Sequence, residues 1–458
     1  MIVEGKLKRY FGIVTLIFLS TAATTVLGQR KLPAKAYLTS AKIDVIEGRP
    51  EEAMALLDSL FINYGPVSEG LGLMGQIMVD YVSSAPTAQA KAPLVDKMVA
   101  YFDSLRMCCS NEKIDKKFRK DCDDLVSKAD TTEAQFWREF YNKGIEQLTT
   151  LQEFAQELAN ASDSQTLAYY QAAVQTRADT AIANMNLALK INPNDHRPYL
   201  AIGSIHEGQK KYEEAIEWFK KGLPYTNDSS SMLLSIAYDY INLNKYCEAI
   251  PPFEDYARIN PTDLPNANNL TICYVRCEMD DKAVATYKRM LTVDSIHSDA
   301  LIGLGSYYRR EAGELTKKAK QLSDEKKDAE SKATRERANQ VFDTSAQYYE
   351  RHIKAFPDSI PGYDELGLIN YLMGKFDKAA KAFKKLCELQ PDEVDNWISL
   401  GDSYFSLNDF KSAIPAYEKA VAIKDDNKTV WERLSFLYLE NGMNDKKSQA
   451  DKKVQSLN

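Results

Sequence analysis

Residues 70–75 read GLGLMG, so Gly70, Gly72 and Gly75 carry the Gly-x-Gly-x-x-Gly spacing with which a strand-to-helix turn presents backbone amides to a pyrophosphate. That chemistry needs a buried strand immediately upstream. The preceding residues instead read EEAMALLDSLFINY, a helical pattern closed at Gly65-Pro66, so dinucleotide binding is not expected. Metal chemistry is no better supplied. His196, His206, His297 and His352 are scattered without ligand spacing, and no Cys-x-x-Cys occurs, so no zinc site is expected. No Gly-x-Ser-x-Gly, His-Glu-x-x-His or phosphate loop is found. The abundant Asp and Glu lie beside Lys on helical faces, as solvated charge does. Catalytic residues, cofactor and metal are all expected to be none, and the chain is read as a non-enzyme.

Composition narrows the partner. The 458 residues carry a formal charge of −7 with acids and bases interspersed, which disfavours nucleic acid because phosphate binding draws on a concentrated basic surface. The N-terminus runs from basic Lys6, Lys8 and Arg9 through apolar Phe11–Leu19 to small residues, with Val26 and Gly28 ahead of Gln29. This is the three-part layout of a secretory signal peptide over residues 1–28, cleaved before Gln29. An uncleaved anchor is the alternative, although the apolar stretch is short for a span of about 20 residues. Removal would delete three bases and one acid, leaving −9.

A period of 34 residues runs through most of the chain. In the unit beginning at Val394, Trp397, Leu400, Gly401, Tyr404, Ala413, Tyr417 and Ala420 occupy positions 4, 7, 8, 11, 20, 24 and 27. One unit earlier, Tyr363, Leu366, Gly367, Ala379, Phe383, Leu386 and Pro391 take positions 4, 7, 8, 20, 24, 27 and 32. The frame recurs from His196 (Tyr199, Ile202, Gly203, Ala215, Phe219, Gly222), from Ser230 (Ile236, Ala237, Tyr240, Ala249, Phe253) and from Leu264 (Leu270, Tyr274, Ala283, Tyr287, Met290). Small residues at 8, 20 and 27 mark places where paired helices approach closely, and Pro at 32 stops the second helix. A looser unit starts at Ala34, with Tyr37, Ala41, Ala53, Leu57 and Leu60 in frame, and the next starts at Ser68. Gly75 then falls at position 8, as a helix contact rather than a phosphate turn.

This spacing closely resembles the tetratricopeptide repeat, a helix-turn-helix unit of the same length. The resemblance implies an all-α right-handed superhelix with a concave inner face, built by stacking units that cannot bury their apolar stripes alone. The expected divisions are degenerate repeats over 29–130, an extended repeat over 131–195, three regular repeats over 196–297, a second extended repeat over 298–359, two regular repeats over 360–427 and a polar capping repeat over 428–458.

Two units depart from the pattern. In the one from Ser298, Leu301, Leu304, Gly305 and Tyr308 begin normally, but Ser345, Tyr349, His352 and Pro357 complete it 28 residues late. The excess is rich in Ala, Lys and Glu and lacks Pro, which favours two lengthened helices, with Ser323-Asp324 offering a cap for the returning one. The second departure, more apolar, runs from Trp137, Tyr141 and Gly144 to Ala181, Met185, Ala188 and Pro193, with a turn at Ser162-Asp163. Each hairpin either stiffens the array or docks a partner.

Positions 2, 5, 9, 12 and 13 of the first helix face the groove in the family this chain resembles. Here they hold Tyr238, Asn242, Asn268, Arg276, Arg309, Arg310, Tyr371 and Phe405, interrupted by Ile272, Leu368 and Ile398. Amides, aromatic faces and guanidinium forks suit an extended peptide, and the three arginines are read as one anion-contacting patch. The Lys and Asn of the family's carboxylate clamp are not reproduced. Cys247 opens a second helix and Cys277 ends the next first helix, so packing would bring them together as a disulfide; Cys108 or Cys109 with Cys122 is a comparable pair. The expected function is an exported protein-interaction scaffold of the periplasm or cell envelope of a Gram-negative bacterium, with a protein or peptide partner and a link to an outer-membrane or envelope complex. The alternative is a carbohydrate or nutrient-uptake component that presents a glycan site on its repeats.

Overall fold

The computed structural model describes residues 32–110 and 116–457; the expected leader and its cut before Gln29 lie outside them. Among the described residues there are twenty α-helices and no strand. The chain divides into two compact units after Asn244.

The first unit holds α1 (Ala34–Ile46), α2 (Pro50–Tyr64), α3 (Ser68–Ser84), α4 (Ala88–Cys109), α5 (Lys116–Asn160), α6 (Ser164–Ile191), α7 (His196–Gly208), α8 (Tyr212–Gly222) and α9 (Ser230–Asn242). The second holds α10 (Tyr246–Ile259), α11 (Leu264–Arg276), α12 (Asp280–Val293), α13 (Ser298–Asp324), α14 (Asp328–Ala355), α15 (Ile360–Leu372), α16 (Phe376–Leu389), α17 (Val394–Ser406), α18 (Phe410–Ile423), α19 (Lys428–Glu440) and α20 (Asn444–Ser456). Both are built of antiparallel helix pairs.

The closest approach within a pair is a glycine at position 8 beneath an aromatic ring at position 24. A Cβ built on Gly401 would come within 2.6 Å of the Tyr417 ring, on Gly367 within 2.7 Å of Phe383, and on Gly305 within 2.6 Å of Tyr349; Gly203 stands in the same relation to Phe219. Position 20 is equally tight. Ala53, Ala215, Ala379 and Ala413 are fully buried, and Ser345, in the same place, donates from Oγ to the Gly305 carbonyl at 2.6 Å. Gly75 obeys the rule too, beneath the Phe102 ring. Phe102 lies eleven residues beyond the regular position 24, because α3 and α4 have 17 and 22 residues where regular helices have 13 or 14. Gly70–Gly75 are thus part of a packed helix.

The turn between paired helices has one recurring backbone feature. Position 15 is left-handed in every regular repeat, at Gly48, Gly374 and Gly442, but also at Lys210, Asn244, Glu278 and Asn408, whose φ values are 59, 57, 58 and 59°. A side chain in that conformation costs about 1–2 kcal/mol, offset here by the helix-ending hydrogen bonds it permits, such as Lys211 N–H to the His206 carbonyl at 2.9 Å.

Stacking between repeats uses position 10 of the first helix. Ile205 packs against Ala178 and Ala181 of the preceding pair, Ile369 against Phe342 and Tyr349, and Leu437 against Ala413 and Tyr417. At the C-terminus α20 covers this face with a single buried residue, Ala450.

The two long hairpins have 45 and 28 residues in α5 and α6, and 27 and 28 in α13 and α14. The second is sealed by Ala312, Ala319 and Ala338, all buried, and by Ser331 Oγ donating to the Ala319 carbonyl at 2.7 Å. Ser323-Asp324, expected to cap the returning helix, close the outgoing one instead. The Ser323 and Leu322 carbonyls accept from Lys326 and Lys327 amides, with Lys326 left-handed at φ 59°, so the turn falls at residues 325–327. In the first hairpin, Asp163 caps α6 through the Gln165 and Thr166 amides.

Two disulfides cross-link the helices. Cys247 joins Cys277 with Cα atoms 5.7 Å apart, and Cys109 joins Cys122 at 5.5 Å; Cys108, Cys273 and Cys387 are free thiols.

Two outcomes follow from this packing. Gly401→Ala should destabilise the second unit by about 1–2 kcal/mol, the overpacking cost exceeding the helix-propensity gain, because Tyr417 is held by Asp402 and by Arg433. Gly313→Ala, with open space around its Cβ, should stabilise by up to about 1 kcal/mol; denaturant titration followed by circular dichroism reads both. Replacing Cys247 and Cys277 by Ser opens a link spanning 30 residues and should lower stability by about 3–4 kcal/mol, measured by the same titration.

Candidate functional site

First helices of the second unit present a row of apolar side chains to solvent at the expected groove positions. Ile272 is 42% exposed and Leu368 38% exposed, each beside buried residues of its own helix, Leu270 and Cys273 on α11 and Leu366 and Ile369 on α15. Helix packing cannot account for them, since positions 7, 8 and 10 on the same helices are already used against neighbours.

The three arginines, Asn268, Tyr371 and Phe405 have neighbours of their own. Arg276 ends α11 and lays its guanidinium over the Tyr246 ring, 5.1 Å from the centroid. Arg310 on α13 donates to Asp280 at the start of α12, at 2.6 Å. Arg309, one residue earlier, approaches Glu365 on α15, with Nε 2.7 Å from Oε2; the contact is an ion pair without hydrogen-bond alignment. Burial pushes the Glu365 carboxyl up, and the Arg309 charge opposes that shift. The three arginines therefore each engage a different neighbour. Arg276 and Arg310 remain exposed.

Asn268 donates to Asp299 at 2.9 Å, tying α11 to α13. Tyr371 meets Phe376 edge to face at 5.3 Å. Phe405 belongs to a three-ring cluster with Phe410 at 5.7 Å and Phe436 at 5.9 Å, with the Arg433 guanidinium 5.7 Å from its centroid. In the first unit, Tyr238 and Asn242 are exposed on α9.

Sequence reasoning missed a second concave region in the first unit. An open cavity of about 620 Å³ is lined by Asp130, Glu133, Trp137, Arg138, Tyr141 and Arg197, among others. Trp137 and Tyr141 stack at 4.9 Å, and Arg197, held by Asp195, lies over Trp137 at 4.4 Å. The available signal was Gly144. A Cβ there would meet Met185 at 2.6 Å, so Gly144 holds position 8, which puts Arg138 and Tyr141 at groove positions 2 and 5 and Arg197 at position 2 of the next repeat.

Each tryptophan is engaged by its own neighbours. Trp137 is buried, Trp218 is half-buried beneath Lys221 at 4.6 Å, and Trp397 and Trp431 turn their Nε1–H groups to the Pro391 and Asp425 carbonyls at 2.9 and 3.0 Å.

One buried acid lies next to a groove residue. Asp239, beside Tyr238, is fully buried, and neither carboxylate oxygen meets a hydrogen-bond partner. Burial, helped by the Glu207 charge, pushes its carboxyl up to about 7. Between the ordinary aspartate value and about 7 the folded chain keeps a proton that the unfolded chain releases, so stability falls as pH rises through that window and levels off above it. Asp239→Asn should flatten this slope and leave the chain more stable than wild type at pH 8 but not at pH 4; urea midpoints across pH check it.

Residues 196–223 and 366–428 match family models described as tetratricopeptide repeat. Similar solved structures include the C-terminal part of a TPR repeat-containing protein from Cytophaga hutchinsonii, 21% identical, with 56% of this chain and 94% of that one covered and a TM-score of 0.42. A tetratricopeptide repeat protein from Parabacteroides merdae is 14% identical, with coverage of 65% and 99% and a TM-score of 0.33. MamA from Desulfovibrio magneticus is 17% identical, with coverage of 44% and 98% and a TM-score of 0.33. No curated protein matches the chain. The two matched stretches, with a glycine-under-aromatic contact repeated at Gly203, Gly367 and Gly401, show that this chain carries tetratricopeptide repeats.

Proposed function

We propose that the chain is a non-enzymatic scaffold of the cell envelope that holds an extended segment of a partner protein along the first-helix face of its repeats. Tetratricopeptide repeats mediate protein–protein interaction in general. The observation that carries the finer reading is the exposure at groove positions of Ile272 and Leu368 together with Arg276 and Arg310. Apolar side chains left in water gain free energy when a partner covers them. The exposed guanidiniums beside them fix which partner fits, by pairing with its carboxylates.

The envelope part of the proposal rests on the leader-like N-terminus and on the two disulfides. Paired cysteines persist in oxidising compartments and are rare in the cytosol. Export also accounts for stapling a chain already large enough to build a core without cross-links.

Affinity capture from the native envelope fraction tests this directly. The wild-type chain should retain a protein partner, and a variant combining Arg276→Glu, Arg310→Glu and Leu368→Asp should retain at least about tenfold less of it, the loss expected when roughly 1.4 kcal/mol of contact is removed. Retention of a glycan without any protein, or unchanged capture by the triple variant, would contradict the reading.

A further inference from the structure

The cavity of about 620 Å³ in the first unit is left unused by the groove reading. Helix α5 begins at Lys116, well before Trp137 at position 1 of its repeat, and the cavity is the gap between these early turns and residues 191–197. Asp130, Glu133, Trp137 and Tyr141 line it from one face of α5. Its acids are already neutralised. Arg106, which does not line the cavity, bonds both Asp130 and Glu133, and Asp195 holds Arg197 at Nε and Nη2. Arg138 differs: it is exposed on the rim and forms no ion pair among the described residues. Its helical neighbours, Ala134, Gln135, Tyr141 and Asn142, include no acid. At the buried floor, two side chains, each 9% exposed, carry a polar atom with no partner in the protein: Glu133 Oε1, an acceptor, and Trp137 Nε1–H, a donor. Nearly all such buried groups are paired in folded proteins. One helical turn apart and lining one cavity, these two call for a group that donates and accepts together.

We propose that this cavity binds an acidic residue within an extended peptide segment, its carboxylate between Arg138 and Arg197, its backbone N–H donating to Glu133 Oε1 and a neighbouring carbonyl accepting from Trp137 Nε1. Other occupants leave one of these groups unanswered. A simple anion offers no donor to Glu133, a neutral sugar offers no charge to Arg138, and a cation meets acids that Arg106 and Arg197 already hold. The volume is that of a site for a small ligand or a few peptide residues. Neither floor atom touches solvent. Arg197 covers the Trp137 ring at 4.4 Å from its centroid with its side chain 49% exposed, so its shift toward the bound carboxylate opens the way to them. The site involves other residues than Ile272 and Leu368, and it stands or falls apart from the groove reading.

Titration of the full chain with the blocked peptide acetyl-Ala-Ala-Asp-Ala-Ala-amide, followed by tryptophan fluorescence and by calorimetry, gives the test. Wild type should bind it with a dissociation constant of about 1 mM or below, and should bind the peptide with Asn in place of Asp, or acetate alone, at least about tenfold more weakly. Arg138→Ala, at an exposed position, should weaken the Asp peptide at least about tenfold and remove the preference over the Asn peptide. Trp137→Phe keeps a ring and deletes the N–H; by calorimetry it should weaken both peptides by about the same factor. Lys381→Ala, exposed on α16, should change nothing. Absence of binding by wild type up to about 10 mM, equal affinity for the Asp and Asn peptides, unchanged binding by Arg138→Ala or Trp137→Phe, or acetate or glucuronate binding as tightly as the peptide would each overturn the proposal.

Discussion

The structure depends on one contact: a hydrogen atom where any other residue would put a carbon, at position 8 of the first helix, beneath a ring at position 24 of the second. Because Gly203, Gly305, Gly367 and Gly401 let the rings come so close, those four pairs close tightly enough to leave positions 7 and 10 for neighbours. The rest of the architecture is a consequence. Alanines at position 20 continue the seam, and left-handed residues at position 15 reverse the chain within a few residues. What the pairs cannot use, at positions 2, 5, 9, 12 and 13, is left facing water, and that remainder is the candidate binding surface.

The same logic explains why polar groove residues were easy to locate and harder to interpret. Their positions follow from the frame, which the spacing of Gly367, Gly401 and their partners makes legible without coordinates. Their engagement does not. Arg309 is drawn to Glu365 and Arg310 to Asp280, residues respectively 56 and 30 positions away in sequence, and pairwise attraction between side chains on different helices leaves no local signature. Each arginine is therefore partly committed to a neighbour, and the exposed Ile272 and Leu368 become the more informative feature.

Elsewhere legibility failed where the period was stretched. Phe102 plays its part eleven residues late, so a fixed 34-residue ruler passes it by, although Gly75 was correctly placed as a helix contact. Gly144 and Met185 are legible as one extended repeat, but Arg138, Tyr141 and Arg197 come from two successive repeats, and their convergence on one concavity leaves no local signature. Position 15 was invisible because Lys210, Glu278 and Asn408 adopt a conformation that glycine normally signals; the surrounding helix ends impose it. Asp239 at a core position is a further local conflict between residue and environment, tolerated because its carboxyl can stay protonated.

A partner segment lying along the exposed first-helix row would touch positions 272 and 368. Photo-crosslinking in intact envelopes, with a photoreactive phenylalanine at position 272 or 368 and, for comparison, at the exposed second-helix position of Lys381, addresses it most directly. The account predicts a defined protein adduct from positions 272 and 368 and none from 381. Adducts from 381 alone, or equal labelling at all three, would contradict it.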